Sequence, residues 1–414
     1  MEEAVAPGST VGDEELAGLE AQVVDLRPAY LADLERLVNV DCGTYTKVGV
    51  DEVGRWTADQ LTDLGGDVVS HPDKRFGETR VATFDGEPGG PRLLLIGHLD
   101  TVFPEGTAAA RPFSIFGGRA FGPGVTDMKS GLLAGLVALR ALTRQAAGRM
   151  AGPPPFERLI FVANPDEEVG SPVSLPIIRE LAAEADACLV LECARANGDI
   201  VSSRKGTVDL RFVVHGRAAH AGVEPEKGRS AILEAAHEVV ALHGLNGRWP
   251  GVTCNVGTFA GGSRPNVVAE SATFGVDLRA TTREALEAAE AAVRQVAGRP
   301  AVPETTTTVE ELSRHWPMEK LPRSVRLVEH AQALAGRLGF EVRDTATGGA
   351  SDANTTAGMG VATLDGLGPI GGLDHSPDEY LELDSIVPRT TLLAALILAI
   401  ARDPQVAAWR GDRG

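Results

Sequence analysis

Three stretches, RLLLIGHLDTV (92–102), RLIFVANPDEE (158–168) and DACLVLECA (186–194), decide most of what this chain can become. Each is a near-continuous apolar run of strand length that ends abruptly in polar residues. A strand with apolar side chains on both faces must be covered on both faces. Between the first two lies SGLLAGLVALRALTRQ (130–145), rich in Ala and Leu and several turns long, which follows Asp127, a capping or first-turn acid. Strand, helix, strand, helix, strand of this kind predicts an α/β domain with a mostly parallel central sheet.

The second half of the chain reads differently. From GTVDLRFVVHG onward the strands alternate apolar and polar residues, with GRSAILEAAHEVVALHGL and TTREALEAAEAAVRQVAG as helices between them. Alternation predicts a sheet with one open face, so residues 206–314 read as a small α+β (ferredoxin-like) module. It interrupts a larger domain built from 1–205 and 315–414. At 414 residues, 43% of them apolar and 23% charged, two soluble domains are expected.

A net charge of −18 excludes nucleic acid and anionic membrane as partners, since no basic run offsets it. The four cysteines lack C-x-x-C spacing and read as reduced thiols. The acidic start, MEEAVAPGSTVGDEELAG, has no apolar core of a signal peptide. Residues 1–20 are expected to be flexible, with helix from about Leu26, and no run is expected to approach the roughly 20 apolar residues a membrane span needs. A cytoplasmic protein is expected.

Ligands of open parallel sheets bind beyond the carboxyl ends of the strands. Metal-type ligands sit at those places: His98 and Asp100, whose i, i+2 spacing puts them on one side of an extended chain; Asp127; the pair Glu167 and Glu168; and Glu192. His375, in the Gly-rich GGLDHSPDE, is a further candidate. Singly, each has a plain structural explanation as a cap, a surface acid or a bonded histidine. Together, clustered buried anions repel and lose hydration, a cost that a pair of divalent ions removes.

The segments HLDTVFPEG, GPGVTDMKSG, NPDEEVGSP, GRAAHAGVEPEKGRSA and GGLDHSPDEYLE, in that order, resemble the M20 family of dinuclear zinc peptidases and deacylases. HLDTVFP resembles the glutamate carboxypeptidase branch in particular, and the likeness runs from about residue 30 to 400. The resemblance implies a zinc-peptidase catalytic domain whose insertion is a lid that forms a homodimer. It implies two Zn2+ per chain, with Co2+ or Mn2+ fitting the same ligands. His98 and Glu192 would hold one ion, Glu168 and His375 the other, and Asp127 both, with a cis peptide after Asp127. Asp100 would orient His98. Glu167 would be general base and acid for a metal-bridging hydroxide that attacks the scissile carbonyl. His220 in the lid would stabilise the oxyanion.

The same resemblance assigns substrate contacts to Asn266, to Arg314 as partner of an α-carboxylate, and to Gly349 and Ser351. The expected reaction is release of a C-terminal amino acid, glutamate or aspartate favoured, from an N-acyl or peptidyl conjugate. A deacylase of the acetylornithine or succinyl-diaminopimelate type shares these motifs. A non-catalytic, dimeric ligand-binding homologue is the reading from another class, though neither Glu167 nor any ligand is missing. The partner expected is thus a small N-acyl amino acid or short peptide.

Overall fold

In the computed structural model, which describes residues 5–147 and 153–410, the chain forms two compact units. The first takes the chain up to Ser202, Lys320–Ala346 and the part from Ser351 onward; the second takes Ser203–Glu319 and Thr347–Ala350.

The first unit opens with α1 (Asp13–Val38), α2 (Lys47–Asp63), β1 (Asp67–His71), β2 (Thr79–Asp85), β3 (Arg92–His98), α3 (Lys129–Ala147), β4 (Arg158–Asn164), α4 (Leu175–Glu184) and β5 (Ala187–Val190). The second unit supplies β6 (Gly206–His215), α5 (Ala231–His243), β7 (Thr253–Gly261), β8 (Ser271–Ala280), α6 (Arg283–Ala297) and β9 (Thr306–His315). The first unit then resumes with α7 (Pro322–Arg337), α8 (Asp352–Gly358), β10 (Ala362–Leu364) and α9 (Ile386–Ala401).

The sheet of the first unit runs β1-β2-β4-β3-β5-β10. Strands β4, β3, β5 and β10 are parallel, and the antiparallel pair β1 and β2 extends the β4 edge. Residues from Leu93 to His98 and from Leu159 to Asn164 are all buried, which is why both runs are apolar without alternation. Helices α1, α3 and α9 pack on one another above this layer.

Two expectations need correction. The N-terminal segment is not flexible through residue 20: Val11, Leu16 and Leu19 are buried, and the Gly8 N–H donates to His330 Nδ1 at 2.9 Å. The acids read as a frayed tail, Asp13, Glu14 and Glu15, occupy the first turn of α1, where negative charge favours a helix. Residues 1–4 lie outside the described ones. The chain also contains a helical stretch, Leu383–Ala401, long and apolar enough by composition to cross a membrane, though 83% of it is buried within the fold. Arg389 inside it is fully buried and donates to the carbonyls of Gly366, Gly368 and Gly198. It thereby satisfies acceptors that the core would otherwise strand.

The second unit has the β-α-β-β-α-β order and an antiparallel sheet, β7-β8-β6-β9, the ferredoxin-like arrangement. Its inward positions are the alternating Val208, Leu210, Phe212 and Val214 of β6 with Phe274, Val276 and Leu278 of β8, and Phe212 stacks on Phe274 at 4.7 Å. Ser230 and Thr282 cap the two helices, accepting from the N–H groups of Leu233 and Ala285. Thr347–Ala350 join this unit from far along the chain, through Lys205 N–H to Thr347 O, Arg279 to Gly348 O and Arg204 to Gly349 O. By their place in the sequence they are expected in the larger domain.

Glu238 on α5 is buried. Burial, opposed by the hydrogen bond from Thr307 and reinforced by nearby Glu234, pushes its carboxyl from 4.5 up to about 7. Folding therefore favours its protonated form, a contribution present below about pH 4.5 and lost as pH rises through about 7. Between pH 5 and pH 8 the second unit is expected to lose about 2 kcal/mol from this group. Calorimetric melting of wild type and Glu238→Gln at both pH values checks it: the variant should lose less stability over that interval.

Candidate metal centre

The strand register assembles the site. Parallel pairing sets His98 opposite Asn164 and Ile96 opposite Val190, and the Leu191 N–H continues the ladder to Ile96 O at 2.9 Å. Two residues past Val190, Glu192 therefore falls beside His98, and its Oε1 lies 3.6 Å from His98 Nε2. After β4, the chain turns through a short 3-10 segment, Glu167–Val169, which presents both glutamates at the same sheet edge.

Asp127 lies between the two imidazoles. Its Oδ1 is 3.1 Å from His98 Nε2 and its Oδ2 is 3.1 Å from His375 Nε2. His375, in left-handed backbone at φ 62°, also reaches Glu168 Oε2 at 3.2 Å. The Asp127–Met128 peptide is cis. The structure thus brings together all five expected ligands, His98, Asp127, Glu168, Glu192 and His375, within the first unit. Single donor atoms of His98, Asp127 and Glu168, and likewise of His98, Glu167 and Glu192, fall within 4.8 Å of one another.

Asp100 joins the parts. His98 Nδ1 lies 3.0 Å from the Asp100 carbonyl oxygen and 3.4 Å from its Oδ1, which engages Nδ1 and leaves Nε2 facing the carboxylates. The Asp100 carboxylate accepts from the Thr44 hydroxyl at 2.6 Å and from the N–H groups of Glu167 and Glu168 at 3.2 and 3.3 Å. It therefore holds the glutamate turn as well as the imidazole.

The electrostatics are those of a cation site. Burial disfavours charge on His98, yet Asp100, Asp127 and Glu192 outweigh it and push its pKa well up. Hydrogen bonds to Asp127 and Glu168 push His375 up to about 10. Burial raises Glu167 well above the carboxylate range, with His98 opposing and Glu192, Asp352 and Glu168 adding to it. Glu168 Oε1 is buried with no hydrogen-bond partner. Buried acceptor capacity beside two imidazoles fits one or more divalent ions, and mixed imidazole and carboxylate donors suit zinc, cobalt or manganese.

Glu379, four residues after His375 in the GGLDHSPDEYLE motif, is not singled out by the sequence but holds the loop that carries Asp127. Its buried carboxylate accepts the N–H groups of Gly124, Thr126 and Asp127 at 2.9, 2.9 and 3.0 Å. The acidic doublet Asp378-Glu379 was the available signal. Thr44 was missed likewise; nothing local marks it.

The remaining candidates are placed as follows. In the second unit His220 is exposed, its Nδ1 accepts from Gly222 N–H at 3.2 Å, and the Ala221 N–H donates to Asn266 O at 3.0 Å, which sets His220 and Asn266 side by side. Arg314 binds the carboxylates of Glu290 and Glu311 at 2.6 and 2.7 Å. Gly349 accepts from Arg204. Ser351, in the first unit, is buried, caps α8 and donates to Asp365 at 2.8 Å.

A parallel sheet whose carboxyl ends gather two imidazoles and a set of carboxylates is the framework of a metal-dependent hydrolase. The model of peptidase family M20/M25/M40 matches residues 94–399. Carboxypeptidase G2 of Pseudomonas sp. (strain RS-16) is 31% identical over 384 residues, covering 90% of each chain. Acetylornithine deacetylase of Edwardsiella ictaluri (strain 93-146) is 27% identical over 359 residues, 81% of this chain and 88% of that one. Aminopeptidase PepT from Bacillus cereus ATCC 10987 has a like fold, with a TM-score of 0.74 and 24% identity over 91% of this chain and 99% of that one. The chain belongs to peptidase family M20/M25/M40 and is a hydrolase.

Proposed function

We propose that the protein is a dinuclear zinc amidohydrolase that releases a C-terminal amino acid, glutamate or aspartate favoured, from an N-acyl or peptidyl conjugate. The observation that carries this reading is the Asp127 carboxylate, with one oxygen toward His98 and the other toward His375. That arrangement suits a carboxylate shared by two ions, held by His98 and Glu192 on one side and by Glu168 and His375 on the other. Bound there, divalent ions would polarise the scissile carbonyl and activate water for attack. Glu167, beside the cluster but free of His375, takes a proton from the attacking water and returns it to the departing amine. Asp100 keeps His98 and the Glu167 turn in register through its contacts to His98, Thr44, Glu167 and Glu168. The likeness to carboxypeptidase G2 supports the carboxypeptidase reading, and that to acetylornithine deacetylase keeps amino-acid deacylation as the second one.

Further parts of the reading concern assembly and setting. A homodimer through the second unit is supported by the sheet edge at β7 and by the exposed Leu233, Val240 and Phe259. A reducing, cytoplasmic setting is supported by four buried, unpaired cysteines. The test is metal analysis together with a panel of N-acyl amino acids and dipeptides. Two zinc ions per chain and fastest release of glutamate or aspartate are expected. Metal without turnover of any panel member would overturn the reaction, and a preference for ornithine-like leaving groups would move the assignment to the deacylase.

A further inference from the structure

The two imidazoles of the metal centre are held in different ways. His98 is 1% exposed and has Asp100 at its Nδ1. His375 is 54% exposed, and its contacts to Asp127 and Glu168 are both made by Nε2. An imidazole that lacks close packing and a partner for its other nitrogen is aimed by its backbone.

That backbone is an unusual one. His375 lies in the loop 373–379 of a hairpin in which Gly372 pairs with Tyr380. Leu373 at φ 59° and His375 at φ 62° are left-handed without being glycine. Such a conformation persists only where the surrounding contacts over-determine it. Within the loop, the Ser376 N–H donates to Leu373 O at 3.1 Å and the Glu379 N–H to Ser376 O at 3.3 Å. From outside it, Arg111 Nη1 donates to the carbonyls of Ser376 and Pro377 at 3.4 and 2.8 Å.

Arg111 is anchored in turn. Its guanidinium lies over the Phe103 ring, 4.6 Å from the centroid. The main chain beneath that ring is closely packed, since a Cβ on Gly43 would fall 2.1 Å from the Phe103 carbonyl oxygen, and the Thr44 N–H donates to Thr101 O at 3.2 Å. A planar guanidinium offers a face to the ring and an edge to the carbonyls at the same time. Arg111 therefore joins the stretch that follows His98 to the stretch that follows His375.

Resting on the two-ion reading above, we propose that Arg111 is a positioning residue for His375. It holds the loop so that Nε2 stays turned to Asp127 and Glu168, and it strengthens the binding of the one ion that His375 would hold.

The test is stepwise removal of zinc from the loaded protein by a competing chelator, in wild type, Arg111→Ala, Arg111→Lys, His375→Ala and the variant with both alanines. Arg111→Ala should bind the ion that His375→Ala weakens about 10- to 100-fold less tightly, and the other ion with unchanged affinity. Arg111→Lys should fall between, since it keeps a donor but loses the stacked plane. In the His375→Ala background, Arg111→Ala should change nothing further, because the imidazole it places is gone. Unchanged affinity in Arg111→Ala, equal weakening of both ions, or additive losses in the double variant would overturn the proposal. Zinc binding is read without turnover, so a failure of the hydrolytic reading is seen separately. Should wild type take up fewer than two ions, the two-ion reading fails by itself, and the amides of residues 373–376 are compared by hydrogen exchange in the metal-free protein. Exchange about tenfold faster in Arg111→Ala upholds the positioning role; equal exchange overturns it.

Discussion

Replacing Glu167 with glutamine should lower kcat about a thousandfold while the protein keeps its metal and its melting temperature. Positioned acid and base groups contribute typically 10²–10⁴-fold, and glutamine keeps the shape of the side chain without its proton-accepting oxygen. Metal retention is expected because the imidazole contacts of Asp127 and Glu168 do not involve Glu167. Stability should hold or rise, since burial already disfavours the charge that the substitution removes. Activity on the best panel substrate, zinc content by atomic spectroscopy and a thermal melt together decide it. Turnover within tenfold of wild type would remove Glu167 from the chemistry, and loss of zinc would make it a ligand.

The second large effect is expected at Glu379, more than 250 residues beyond the loop it holds. Its carboxylate accepts three N–H groups from that loop, the last from Asp127, the carboxylate between the two imidazoles. Glu379→Gln presents an amide NH2 where an oxygen accepted, setting donor against donor in a buried place. Groups that orient metal ligands without touching the ion typically matter 10- to 100-fold in metal affinity. Competition with a chelator should therefore show zinc bound about 10- to 100-fold more weakly in the variant. Unchanged affinity would reduce Glu379 to a structural role in its loop.

The contrast between Glu379 and the ligands shows what a linear reading reaches. His98, Glu168 and Glu192 were legible because each follows a run of apolar strand residues, and a buried parallel strand must deliver its next residues to one sheet edge. The register then does the rest, as with Glu192 two residues beyond Val190. Glu379 bonds to main-chain N–H groups, which every residue has, so its partners leave no mark in the sequence. Thr44, whose hydroxyl meets Asp100, is equally silent. The start of α1 was misread for a different reason: acids that suit the first turn of a helix have the composition of a flexible tail. Thr347–Ala350 are assigned to the larger domain by their place in the chain, because their partners in the second unit, Lys205, Arg279 and Arg204, lie more than 60 residues away in sequence.

The interrupted order of the first unit also dictates when it can fold. Strand β10, core helix α9, Glu379 and His375 are all made after the second unit is complete. As the chain leaves the ribosome, the β6 to β9 module has its whole sheet in one stretch and can close first. Meanwhile the earlier strands wait with one side of β5 unpaired and their apolar faces short of a cover. Nearly the entire protein must be synthesised before the hydrolytic centre exists, so a truncated or stalled product carries no active site.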